Sequence, residues 1–175
     1  RFIIKAYKVK VSEAAQQQLT AYASFNDFFT RRLRDDARPI ANHAALVSPV
    51  DGVVSQLGAI HDNQLIQAKG HYYSLTDLLA GDETLCEQLV DGQFATIYLS
   101  PKDYHRIHMP LTATLRSMRY VPGKLFSVSL RTARTVPNLF ARNERLIVEF
   151  DSEFGPVVMV LVGAIFVGSM ETVWA

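Results

Sequence analysis

A single cysteine, Cys86, is all the thiol chemistry this 175-residue chain carries, so no disulfide can form within it. Its apolar neighbours Leu85, Leu89 and Val90 read as the setting of a packed thiol rather than of a nucleophile. A surplus of charge is also missing: 18 Lys and Arg against 17 Asp and Glu leave a formal net charge of +1. No global field is available for a polyanion, so no nucleic-acid partner is expected and any electrostatic recognition must be local. Long hydrophobic runs are absent too. The longest apolar stretch, residues 156–170, is broken by Gly163 and Gly168 and falls short of the roughly 20 residues a helix needs to span lipid. Its β-branched residues fit one or two strands buried on both faces, kinked at the glycines. The opening RFIIKAYKVKV has no small-residue cleavage site after an apolar segment, and a chain that opens on Arg1 is expected to continue upstream.

What is present is a composition of 49% hydrophobic residues, enough to bury a core, arranged as one domain with an appendage. Residues 12–36 carry helical signals. Ser12 and Glu13 form a capped start, and Phe25, Phe28, Phe29 and Leu33 fall on one helical face beside Arg31, Arg32 and Arg34. That stripe is compatible with docking on its own domain or with lying in a membrane interface, arginines toward anionic headgroups. From residue 46 onward short apolar runs alternate with turn residues. Strands are expected at 47–50, 53–57, 65–68, 94–99, 115–121, 125–128, 146–150 and 157–166, and one or two short helices between 75 and 89 with Ser74 or Thr76 as cap. The sum is an α+β chain, a mostly antiparallel β core behind an N-terminal helical arm, with residues 1–38 as the arm and 39–175 as the β-rich domain.

The densest chemistry lies in Ser100-Pro101-Lys102-Asp103-Tyr104-His105-Arg106-Ile107-His108-Met109-Pro110, between a strand-like segment and a proline stop. Histidine titrates nearest neutrality, so two of them three residues apart can bring two proton-transfer groups to one cavity. His-x-x-His also suits a metal, but no cysteine or carboxylate cluster completes a ligand set, and no metal is expected. A second feature is Pro49-Val50-Asp51-Gly52-Val53. Asp-Gly after an apolar run is first a turn; alternatively Asp51 is a carboxylate that orients an imidazole. A relay of that kind needs a nucleophile, and no G-x-S-x-G elbow occurs. A third polar block, residues 138–145, reads as a loop whose arginines could receive phosphate or pair with Glu144. On the residues alone, a metal-dependent hydrolase using the histidine pair and a silent lipid-binding β-module both stay open.

Eight blocks in order, FNDFFTRRL, SPVDGVVSQLG, QAKGHYYSLTDLLAG, YLSPKDYHRIHMP, YVPGKLFSV, VPNLFARNERL, EFGPVVMVLVGAIFVGS and METVWA, make the chain resemble the phosphatidylserine decarboxylases of the bacterial membrane-associated type. The resemblance runs from about residue 2 to 175. It implies the large (β) subunit of a proenzyme whose Leu-Gly-Ser-Thr segment cleaves itself, leaving the serine as a pyruvoyl group on a small (α) subunit; that segment does not occur here.

By the same resemblance, Asp51 and His108 match the relay that activates the serine for self-cleavage, and His105 matches the residue that handles substrate and proton during decarboxylation. Asp103 and Tyr104 are implied near the substrate, with Asp103 tuning His105. The cofactor implied is the pyruvoyl group. The partners implied are the α subunit, phosphatidylserine, a membrane surface and a second copy in a homodimer of heterodimers, peripheral on the cytoplasmic face of the bacterial inner membrane. An anionic lipid substrate would favour the interface reading of Phe25, Phe28, Phe29, Arg31, Arg32 and Leu33.

Overall fold

A computed structural model describes residue 4 and residues 7–165 and 167–174. Phe166, at the end of the last expected strand, and positions 1–3, 5 and 6 of the expected arm lie outside the described residues. Packing divides the chain into two compact units, Arg1–Val53 with Ile97–Thr112, and Val54–Thr96 with Ala113–Ala175.

The second unit carries most of the regular structure. Strand β1 (Val53–Ala59) pairs with β4 (Gln93–Tyr98), and β2 (Gln64–Ala68) forms an antiparallel hairpin with β3 (His71–Ser74). The antiparallel meander β5 (Ala113–Val121), β6 (Arg145–Ser152) and β7 (Gly155–Val162) makes the third sheet. Both observed hairpin classes follow from apolar runs split by turn residues, and the antiparallel α+β reading holds. Two short helices, α2 (Leu75–Leu78) and α3 (Glu83–Leu89), start where Ser74 and Asp82 accept the N–H groups of Asp77 and Leu85. Their apolar faces join Ile60, Leu65, Tyr73, Leu139, Phe140 and Ile147 in the core, where Cys86 is a buried free thiol. β7 ends at Val162, one residue before Gly163, and is half-buried along its whole length.

Several expected elements differ. Residues 12–36 do not form one helix: α1 is limited to Phe25–Phe29, with single 3-10 turns at Val11–Glu13 and Leu19–Ala21. The ends of the segment pair with each other instead, Ala15 N–H to Arg32 C=O and Arg34 N–H to Glu13 C=O, so tertiary backbone bonds override helical propensity. Ser24, not Ser12, is the side-chain cap. Residues 125–128 are not a strand, because the Asn143 side chain takes both the N–H and the C=O of Phe126. Residues 47–50 are also irregular, Val47 N–H bonding Pro110 C=O and Ser48 bonding Val50 C=O. The block read as a loop at 138–145 contains helix α5 (Leu139–Arg142), and α4 (Leu130–Ala133) and β3 had no distinct signal.

Three polar side chains are buried in this unit and fully engaged. Gln67 binds the carbonyls of Ala133 and Val136 and the N–H of Leu139. Arg145 donates to the carbonyls of Asp77, Leu78, Ala141 and Asn143. Asn143, wholly inaccessible, ties Phe126 to Gly163. Removing such a side chain strands buried backbone groups. Asn143→Ala is therefore expected to lower the unfolding free energy by about 3 kcal/mol in chemical denaturation of the protein.

Candidate functional site

The site lies within the first unit. Irregular backbone from 47 to 52 runs beside the histidine loop because two backbone bonds pin it there, Val47 N–H to Pro110 C=O at 2.8 Å and His108 N–H to Pro49 C=O at 2.9 Å. Gly52 permits the approach: a Cβ there would lie 2.6 Å from the carbonyl oxygen of Tyr98.

Asp51 thus reaches the histidine loop, but its carboxylate partner is an arginine that sequence reasoning did not find. Arg38 Nε donates to Oδ1 at 2.7 Å and Nη2 to Oδ2 at 2.5 Å, a two-pronged pair, while Nη2 also reaches Glu13 at 2.9 Å. The hydrogen bonds from Arg38 and the backbone N–H of Tyr104 hold the Asp51 carboxyl below the usual carboxylate range, against the opposing effect of its partial burial. The same two carboxylates hold Arg38 firmly in its charged form. Nothing in the string RDDARPI distinguishes Arg38 from its neighbours; a partner 13 residues away and another 25 away are visible only in three dimensions.

The two histidines occupy unlike surroundings. His105 is half-buried, with its ring 3.9 Å from the Phe29 ring centroid to centroid. Its Nδ1–H donates to the Asp103 carbonyl at 2.9 Å, which leaves Nε2 with the lone pair in the neutral ring. Burial pushes its pKa below the ordinary 6.5, opposed by the Asp103 carbonyl and reinforced by the nearby Arg31 charge. His108 is exposed, and its Nε2 lies 2.9 Å from the hydroxyl of buried Tyr104. Among the described residues His108 makes no hydrogen bond to Asp51. Asp103 acts on His105 first through its main-chain carbonyl and also through its charge, while its carboxylate is held by the N–H and hydroxyl of Ser100.

The aromatic and basic stripe is split by this packing. Phe28, Phe29 and Arg31 are buried, Leu33 is half-buried against Ala14, and Phe25, Arg32 and Arg34 are exposed. Phe29 serves as the wall against which His105 packs. Arg31, Arg38, Asp51, Asp103 and Tyr104 line a cavity of about 270 Å³ in this same unit.

Comparison with known proteins agrees with the ordered blocks. A family model described as phosphatidylserine decarboxylase matches residues 25–174. The chain is 58% identical over 176 residues to the phosphatidylserine decarboxylase proenzyme of Aliivibrio salmonicida, covering 100% of this chain and 61% of that protein. It is 58% identical over 173 residues to the proenzyme of Sodalis glossinidius, with 98% and 59% covered. The Pasteurella multocida proenzyme is 60% identical over 176 residues, with 100% and 60% covered. The chain therefore spans about 60% of the length of the curated relatives it matches.

The Phe29–His105 contact has a measurable consequence. Opening the ring's surroundings in Phe29→Ala should raise the His105 pKa back toward 6.5, read from its imidazole resonances in an NMR titration. Because the folded-state pKa lies below the unfolded one, the unfolded chain binds the extra proton. The contribution of neutral His105 to stability is thus complete above about pH 6.5 and is lost as pH falls through the folded pKa.

Proposed function

The chain belongs to the phosphatidylserine decarboxylase family, and from that premise we propose that it is the large-subunit portion of a self-cleaving proenzyme that converts phosphatidylserine to phosphatidylethanolamine. The observation that carries this reading is the placement, within one compact unit, of an ionised acid at 51 and two imidazoles at 105 and 108, with the His108–Pro49 backbone bond holding the two segments together.

In the first half of the activity, Asp51 and His108 activate a serine outside this chain. A serine hydroxyl attacks at neutral pH only if a base takes its proton, and an imidazole is the usual base. His108 suits that role, being exposed with Nε2 already 2.9 Å from a hydroxyl oxygen, that of Tyr104. An incoming serine hydroxyl would replace Tyr104 at this nitrogen. Asp51 would steady the other side of the ring. A carboxylate has about four acceptor positions, so Asp51 can keep both prongs of Arg38 and still accept from His108 Nδ1. Arg38 keeps it charged, which an imidazolium partner requires.

In the second half, the pyruvoyl group left by that cleavage, on the partner subunit, supplies an electron sink for the pair released when carbon dioxide departs. The donor sets support its chemistry: His105 is held in one tautomer, and burial keeps it neutral at pH 7. Its free Nε2 can take the proton that the substrate's ammonium must lose and return it to the carbon that has lost carbon dioxide. Phe29 keeps water from one face of that ring. At the surface, exposed Phe25 and Arg32 offer an aromatic and a cation to an anionic bilayer, consistent with peripheral attachment on the cytoplasmic face of the inner membrane. A small α subunit and a second heterodimer complete the assembly in this reading.

In the full-length proenzyme, Asp51→Ala and His108→Ala should each leave one uncleaved chain by mass spectrometry. His105→Ala should process normally yet lose about 100-fold or more of carbon dioxide release from phosphatidylserine. Normal cleavage in both relay variants, or retained turnover in His105→Ala, would remove these roles.

A further inference from the structure

Two of the described arginines are buried, and they are treated differently. Arg145, 3% exposed, spends its guanidinium on the carbonyls of Asp77, Leu78, Ala141 and Asn143. Arg31 is 4% exposed, its Nε is fully enclosed without a hydrogen-bond partner, and no described residue pairs with the rest of its guanidinium. The Phe28 ring lies 4.9 Å below the guanidinium carbon. A buried cation left in that state is costly, and natural structures offset such a cost with an anion or a set of acceptors. Burial lowers the Arg31 pKa, which is the same cost expressed as a proton affinity.

The cavity that Arg31 lines explains where an anion could come from. Among the described residues its wall carries five cationic side chains, Lys8, Lys10, Arg31, Arg38 and Lys102, against the three carboxylates of Glu13, Asp51 and Asp103. Each carboxylate is already engaged: Glu13 by Lys10 and Arg38, Asp51 by Arg38, and Asp103 by Ser100. Arg31, Lys8 and Lys102 are left, among the described residues, without a carboxylate partner. We propose that this cavity is a phosphate-binding site in which Arg31 presents its guanidinium fork and Lys102 and Lys8 supply point charges.

A phosphate group suits three separated cations better than a flat carboxylate, because its oxygens are arranged tetrahedrally and can meet a fork and two ammonium groups at once. About 270 Å³ accommodates it with water. The phosphate could be the diester of a lipid headgroup or free inorganic phosphate. The first source rests on the function proposed above and fits it sterically. Asp103 and Tyr104 of the cavity wall directly precede His105, and in a phosphoserine headgroup one methylene and one oxygen separate the reacting carbon from phosphorus. Arg31 would then be a substrate-binding residue and not part of a lipid-facing stripe.

The test uses the processed full-length protein and two variants, Arg31→Gln and, at an exposed position that should not disturb folding, Lys102→Gln. Inorganic phosphate is expected to raise the thermal midpoint of the parent protein at millimolar concentration and to compete with phosphatidylserine in mixed vesicles. In both variants the apparent phosphate affinity should fall about tenfold or more, as loss of a charged hydrogen bond implies. If KM for phosphatidylserine rises by a similar factor while kcat changes little, the site takes the lipid's phosphodiester; if only the phosphate response weakens, it takes the free ion. A parent protein with no phosphate response, or a Lys102→Gln protein with an unchanged response and unchanged KM, overturns the proposal. A parent that responds to phosphate but does not decarboxylate the lipid would overturn the functional reading and leave the phosphate site standing.

Discussion

The site depends on keeping a partly buried carboxylate charged. Asp51 sits where desolvation alone would raise its pKa, and the two-pronged contact from Arg38 reverses that tendency. Arginine is the cation for this task, because its planar fork matches both carboxylate oxygens and it does not lose its proton. Glu13 completes the arrangement by binding the same Nη2 from the other side. Arg38 is thereby fixed between two acids, one from a 3-10 turn near the start of the chain and one at the entry to β1. The N-terminal segment is a structural part of the site for this reason. Its backbone pairing between residues 13–15 and 32–34 delivers Glu13 and the arginines to the acid.

The same segment sets the character of the two histidines. α1 is five residues long, too short to be stable by itself, and it is held because Phe28 and Phe29 are buried. One of those rings meets His105, so burial of the aromatic pair and desolvation of the imidazole are one event. His108, three positions on, is exposed, its ring stacked at 5.6 Å on Tyr104 and bonded to that residue's hydroxyl. One loop therefore provides a shielded imidazole and an open one, a division of labour that two identical environments could not give.

Legibility in the sequence followed the range of the physics involved. The antiparallel meander was readable, because alternating apolar runs and turn residues are local, and so were Ser74 as a helix cap and Cys86 as packed thiol. The helix over 12–36 was misread, since its periodicity is genuine but loses to backbone bonds between its own ends. The strand expected at 125–128 failed for a related reason: Asn143, 17 residues away, captures the backbone of Phe126. At the site, the histidine loop and Asp51 stood out by composition and by block order. Arg38 and Glu13 did not, because an ion pair across 25 residues leaves no periodic trace.

The stripe of aromatics and arginines shows how a pattern can be right about amphipathy and silent about its partner. Helical spacing placed Phe28, Phe29 and Arg31 together, and all three are buried together. A lipid-facing stripe would leave the aromatics exposed and the arginines at a polar boundary. Here the arginine goes inward with the rings and arrives at a cavity wall without a protein acceptor among the described residues. Arg145, equally buried but matched by four backbone carbonyls, marks what a purely structural arginine looks like in this fold. The contrast between the two separates a cation that holds the chain together from one whose counterpart has to come from outside it.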